Sequence, residues 1–325
     1  MNNIKIWGTA FSLIGDLVMS LPQLNYFKKK FPDSYIYFVI HKKIAYSAPL
    51  FFNHPLIDKI HISEKWSDFG KNDYEIANQC QVSTVKIDNK AKTILKRTPS
   101  NQWYNKRNCI DENAVMSGIN DLNEVLTEEE LFPKLYQWFD VGFDSPQKKG
   151  SYTFKKKEGS ENKNLSNYIS IWPFAAYGRS ETRSPSEIWW VETVNKIIKK
   201  GYKVLHCGYF TEPNLSNDNN NYKRITELSF FEQIKVSLAT RLSIGTDSGS
   251  MWVLGAYDHP AIHLMTNWSE NHIENFSAFE PINRHSVTLF EEGGCDNINI
   301  ESVISSLDKF TRNDSFIKKI YKTLI

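Results

Sequence analysis

Apolar residues recur at intervals of three and four at Leu17, Val18, Leu21, Leu24, Phe27 and Phe31, the stripe of an amphipathic helix. Lys28, Lys29 and Lys30 fall in its last turn, where cations suit the helix dipole, and Pro32 follows. Ile4, Ile6 and Trp7 give a brief strand signal before it. Tyr35 to Ile40 after it is a continuous apolar run of the kind buried in a parallel sheet. The order is β-α-β, which puts Gly15 and Asp16 at the carboxyl end of the first strand, where open α/β sheets hold ligands.

The pattern then predicts a short helix over 44–52, a strand over 57–62, short strands at 74–77 and 82–85, a helix over 111–119 and an acidic helix start at 121–131. Between 144 and 166, Pro146, two lysine clusters and the tract GSENKNLSN carry few apolar residues, which marks a boundary. The expected domains are 1–150 and 166–325. In the second, strands are expected at 168–172 and 203–207, flanking a helix over 187–200 that Gly201 ends. A helix from Phe230 leads to a strand ending near Thr246. Two helical patterns, 300–310 and 314–325, close the chain. Strands alternating with helices in both halves define an α/β protein with two doubly wound parallel sheets.

The most specific stretch is 244–265: strand, the turn Thr246-Asp247-Ser248-Gly249-Ser250, an apolar helix, then a strand led in by Pro260. Small hydroxyl residues and glycine at a helix start leave backbone N–H groups facing outward, a ready site for phosphate. Composition narrows the field. The 325 residues are 41% hydrophobic and 23% charged with a net charge of +2, the profile of a soluble globular protein without the basic bias of a nucleic-acid binder. Nine tryptophans suit either an aromatic core or a sugar-binding cleft. The four cysteines form no close pair and fit a reducing compartment, and the eight histidines lack metal-ligand spacing, so no metal site is expected. No run approaches the roughly 20 apolar residues of a membrane span. A cytoplasmic protein is expected, with contact at the inner membrane face compatible. Residues 8–16 lack GxGxxG and no acid closes the second strand, which counts against an NAD-linked oxidoreductase.

IGDLVMSLPQL resembles the N-terminal signature of the heptosyltransferase-like glycosyltransferases, and TDSGSMWVLGAYDHPAIHL resembles their C-terminal one. The segment with Gly178, Pro185 and Trp189 is similar in character to the region between them. Trp252 stands where that signature has histidine, and Ser250 where it has proline. The resemblance implies a GT-B architecture, two Rossmann-like domains facing a cleft with the nucleotide sugar held mainly by the C-terminal one. It also implies inverting, metal-independent transfer of a heptose or hexose-like sugar from a nucleoside-diphosphate sugar, the co-substrate, to a glycan or lipopolysaccharide-type acceptor, with no other cofactor and no nucleic-acid partner. A catalytically silent nucleotide-sugar binder of the same fold is the alternative.

On that resemblance Asp16 is the general base taking the acceptor hydroxyl's proton, although an aspartate there also serves as the cap of a helix over 17–28. Thr246, Asp247, Ser248 and Gly249 are the candidates for the donor's pyrophosphate and sugar, or else an ordinary capped turn. Arg179 and Arg183 are placed to offset charge on the leaving diphosphate, and Glu212 or Glu227 to hold ribose hydroxyls. Trp252 either packs within its helix or shapes the sugar pocket. Lys86, Lys90, Lys92, Lys96 and Arg97 form a basic stretch, a solvated face or a contact for an anionic acceptor or membrane surface. No acceptor residue is assigned.

Overall fold

The computed structural model describes residues 4–10, 14–30, 32–33, 35–52, 54–63, 82–87, 126–127, 130, 133–135, 165–175, 183–266 and 285–311. The chain divides into two compact units, Met1–Val141 with Ser277–Ile282, and Gly142–Phe276 with Asn283–Ile325.

In the first unit β1 (Ile4–Ala10), β2 (Tyr35–His41), β3 (Lys59–Ser63) and β4 (Val82–Ile87) form a sheet of order β3-β2-β1-β4. β1, β2 and β3 are parallel, whereas β4 runs antiparallel to β1, so this sheet is mixed rather than wholly parallel. The expected single helix after β1 is two: α1 (Ile14–Met19) and α2 (Leu21–Lys30). Pro22 explains the break, because it offers no N–H to the carbonyl of Val18 and its ring crowds that turn. Ser20 stands in the gap with both its N–H and its hydroxyl donating to the Leu17 carbonyl. The apolar stripe is nonetheless buried as expected, with Leu17, Val18, Leu21, Leu24 and Phe27 joining Ile36, Phe38 and Ile40 in the core. The segment expected as a helix over 44–52 is 3₁₀ over Lys42–Phe51, and it lays Phe51 against Phe38 with ring centroids 4.7 Å apart. The elements expected at 74–77, 111–119 and 314–325, and most of 121–131, lie outside the described residues.

The second unit holds a six-stranded sheet: β5 (Tyr168–Trp172), β6 (Lys203–His206), β7 (Tyr222–Arg224), β8 (Leu242–Thr246), β9 (Ala261–Thr266) and β10 (Ser286–Glu291). Its order is β10-β9-β8-β5-β6-β7 and every pairing is parallel. Parallel strands need crossovers, supplied here by α3 (Glu187–Lys199), α4 (Phe230–Leu238) and α5 (Gly249–Ala256), with α6 (Ile300–Thr311) after β10. On one face Ile169, Ile171, Val204, Ile244, Ile262 and Leu264 pack against Trp189, Trp190, Val194 and Ile197 of α3 and Val303, Ile304 and Leu307 of α6. α4 and α5 pack on each other, away from that cluster. Gly201 ends α3 as expected: at φ 90° it lets its own N–H reach Ile198 O at 2.8 Å while Tyr202 N–H reaches Ile197 O at 3.3 Å. Among the described residues no helix is long and apolar enough to cross a membrane.

Candidate functional site

In the second sheet β5, β6 and β7 step one way across it, and the chain then returns to lay β8 on the other side of β5. The gap beyond the carboxyl ends of β5 and β8 is therefore the topological switch point, where open α/β sheets bind ligands. The turn Thr246-Asp247-Ser248-Gly249 closes β8 there, and the segment around Arg183 leads from β5 into α3.

The turn is built to expose donors. Ser248 is the N-cap of α5 with extended backbone (φ −148°, ψ 160°), yet its hydroxyl caps nothing. The first N–H groups of α5 have no acceptor inside the helix and carry its positive dipole end. The hydroxyl oxygens of Thr246 and Ser248 are buried and without a hydrogen-bond partner, and Thr246 is fully enclosed. A buried hydroxyl without a partner costs about 1–3 kcal/mol, and two of them stand together at this one helix start. Gly245 lets the helix approach closely, with Met251 and Trp172 against its Cα. Trp252 is buried within α5 and packs there, the plainer of its two readings.

Asp247 does not stand alone. Arg183 Nη2 pairs with Asp247 Oδ2 and donates to the Asp247 carbonyl at 3.2 Å. The segment bearing Arg183 is fastened on several sides. Ser184 Oγ accepts from Ala175 N–H at 2.8 Å, Asp296 Oδ1 from Ser186 N–H at 2.6 Å, and the Arg183 carbonyl from the Cys295 thiol at 3.2 Å. Trp189 and Trp190 extend the anchorage, donating from Nε1 to Ile298 O at 2.9 Å and Pro173 O at 3.1 Å. Burial, with Asp247 nearby, pushes the Cys295 thiol up to about 12, so it stays a thiol at neutral pH. The expected arginine is thus at the switch point, where it pairs with the Asp247 carboxylate. Arg179 lies outside the described residues.

Glu212, in the loop between β6 and β7, is committed internally: Oε1 accepts from Tyr209 N–H at 2.8 Å and Oε2 meets His206 Nε2 at 2.8 Å. His206 Nδ1 lies 2.6 Å from Tyr222 Oη, which also accepts from Leu215 N–H at 3.1 Å. The three side chains form a buried hydrogen-bonded chain, Tyr222 Oη to His206 to Glu212. Sequence reasoning missed this triad, since a lone strand histidine carries no signal of its partners. Glu227 is exposed in the turn after β7.

In the first unit Asp16 is the third residue of α1, which begins at Ile14. It therefore sits in the first turn, favoured by the dipole, and not at the N-cap position of a helix over 17–28. Of the basic stretch Lys86, Lys90, Lys92, Lys96 and Arg97, only Lys86 is described, on β4.

The fold these elements define is that of the GT-B glycosyltransferases. Solved structures sharing it include E. coli ADP-heptose LPS heptosyltransferase II, at 14% identity over 97% of this chain and 100% of that one, with a TM-score of 0.61. A family 9 glycosyltransferase from Veillonella parvula is 15% identical over 95% of this chain and 98% of its own, with a TM-score of 0.60. E. coli heptosyltransferase WaaC with ADP-2-deoxy-2-fluoro heptose is 11% identical over 94% of this chain and 99% of its own, with a TM-score of 0.54. No family model and no curated protein matches the sequence.

Proposed function

We propose that this protein is a glycosyltransferase that binds a nucleoside-diphosphate sugar at the turn Thr246–Gly249 and moves the sugar, with inversion, to a hydroxyl of a glycan or glycolipid. The observation that carries this reading is the pair of buried, unpartnered hydroxyls, Thr246 and Ser248, at the start of α5 beside the switch point. Phosphate oxygens supply what those groups and the first-turn N–H donors lack. The fold supports it, and the similar ADP-heptose LPS heptosyltransferase II and WaaC with ADP-2-deoxy-2-fluoro heptose make an ADP-linked heptose the first donor to try.

In this mechanism the α5 N-terminus stabilises the leaving diphosphate as the glycosidic bond breaks, so no metal is required for that charge. Arg179 adds to it. Asp16 takes the proton of the attacking hydroxyl. The test incubates the protein with ADP-, GDP- and UDP-sugars and saccharide acceptors and follows nucleoside diphosphate release. One nucleotide is expected to support turnover, and Asp16→Asn to lower kcat roughly 100-fold or more with nucleotide affinity within about twofold. Transfer by Asp16→Asn at the parent rate would refute the base. Nucleotide binding without turnover under any donor would leave a silent binder instead.

A further inference from the structure

Arg183 and Asp247 meet at the switch point, and the structure around them fixes that meeting. The carboxylate belongs to the same turn that offers N–H groups to an anion, and its side chain is only 14% exposed. A diphosphate arriving there would face a like charge. At an effective dielectric of about 20, a charge roughly 5 Å away shifts an equilibrium by about two orders of magnitude. Arg183 removes that obstacle, with one nitrogen engaging both the Asp247 carboxylate and its carbonyl. Its backbone is held by Cys295, its neighbour Ser184 by Ala175, and Ser186 by Asp296, so the guanidinium is brought to Asp247 by covalent neighbours that are already tied down.

We propose that Arg183 is a positioning residue that neutralises and orients Asp247 so that a diphosphate can occupy the α5 N-terminus, rather than a direct ligand of the phosphates. This rests on the donor-site reading above and sharpens it. Phosphate charge is met by the helix start and the hydroxyls of Thr246 and Ser248. Asp247, held by Arg183 through one oxygen, keeps its other oxygen for a sugar hydroxyl.

The test is a double-mutant cycle. Binding of ADP and of inorganic pyrophosphate is measured by calorimetry for the parent, Arg183→Gln, Asp247→Asn and the double mutant, with thermal unfolding of each recorded alongside. Arg183→Gln is expected to weaken both probes about tenfold or more, by leaving Asp247 unpaired beside the anion. The double mutant is expected to recover to within about threefold of Asp247→Asn, because no carboxylate then remains to neutralise. Arg183→Lys, which keeps the charge, is expected to bind within about threefold of the parent. A double mutant as weak as Arg183→Gln, or an Arg183→Gln that binds like the parent, would overturn the proposal. If Arg183→Gln does not fold, the double mutant against Asp247→Asn still decides: equal affinity supports the role and weaker binding overturns it. A parent that binds neither probe overturns the donor-site reading itself, and this role with it.

Discussion

Gly245 lies so close beneath Met251 that a Cβ on the glycine would fall 2.6 Å from the Met251 Sδ and 3.0 Å from the Trp172 Cβ. The first turn of α5 is thereby pressed onto the end of β8, which places its N–H groups at the switch point. Gly245→Ala is expected to push Met251 and the helix start outward. The cost should be about 1–3 kcal/mol in urea unfolding, the usual range for overpacking, together with weaker ADP binding. An unchanged unfolding midpoint would contradict this packing.

Thr246 sets stability against function. Its hydroxyl is buried without a partner, so the isosteric Thr246→Val removes an unsatisfied group and adds a methyl in the same volume. The ligand-free protein is expected to gain about 1 kcal/mol or more, read as a higher Tm, while ADP affinity falls. A lower Tm combined with unchanged affinity would show the hydroxyl to be structural.

Tyr222 closes a buried chain through His206 to Glu212. Tyr222→Phe removes the oxygen that accepts from Leu215 N–H and is hydrogen-bonded to His206 Nδ1. Leaving the buried Leu215 N–H unsatisfied is expected to cost about 1–3 kcal/mol, with no change in ADP affinity, since the triad serves the β6 loop and not the turn at Thr246. Denaturant unfolding and calorimetry read the two effects separately.

His259 and His263 are enclosed, and burial lowers both from 6.5 to about 3. Well above pH 6.5 neither state of the protein is protonated there. Below it the unfolded chain takes up protons that the folded chain refuses. Stability therefore falls with pH through the window from 6.5 towards 3, by about 1.4 kcal/mol per pH unit per histidine. Both nitrogens of His263 lack a partner, so His263→Leu is expected to remove one proton's share of that slope and to stabilise the protein at pH 7 as well. Urea unfolding at pH 7, 5.5 and 4.5 measures it, and an unaltered slope would show that His263 is not buried in its neutral form.

Much of the second unit was legible because its strands are short apolar runs and its helices carry clear stops. The 168–172 strand, the helix ended by Gly201 and the 242–246 strand are all where their patterns put them. β7 was not legible, since Tyr222–Arg224 has three residues and two are charged. β10 escaped because Val287 and Leu289 alternate over too few residues to stand out, and the strand is only half-buried. In the first unit the stripe outweighed Pro22, and one helix was expected where the missing N–H makes two. The site shows the same division. The helix start after Thr246 is a local pattern and can be read from composition and order. That Arg183 meets Asp247, 64 residues away, follows only from β8 lying beside β5, and no spacing in the chain encodes that strand order.

The most direct test of the donor site is to follow the backbone amide resonances of Gly249, Ser250 and Met251 as ADP is added. Saturable shifts at those amides, absent in Thr246→Val at the same ADP concentration, are the predicted result. ADP binding that leaves those amides unmoved, or no binding of any nucleoside diphosphate, would contradict the account.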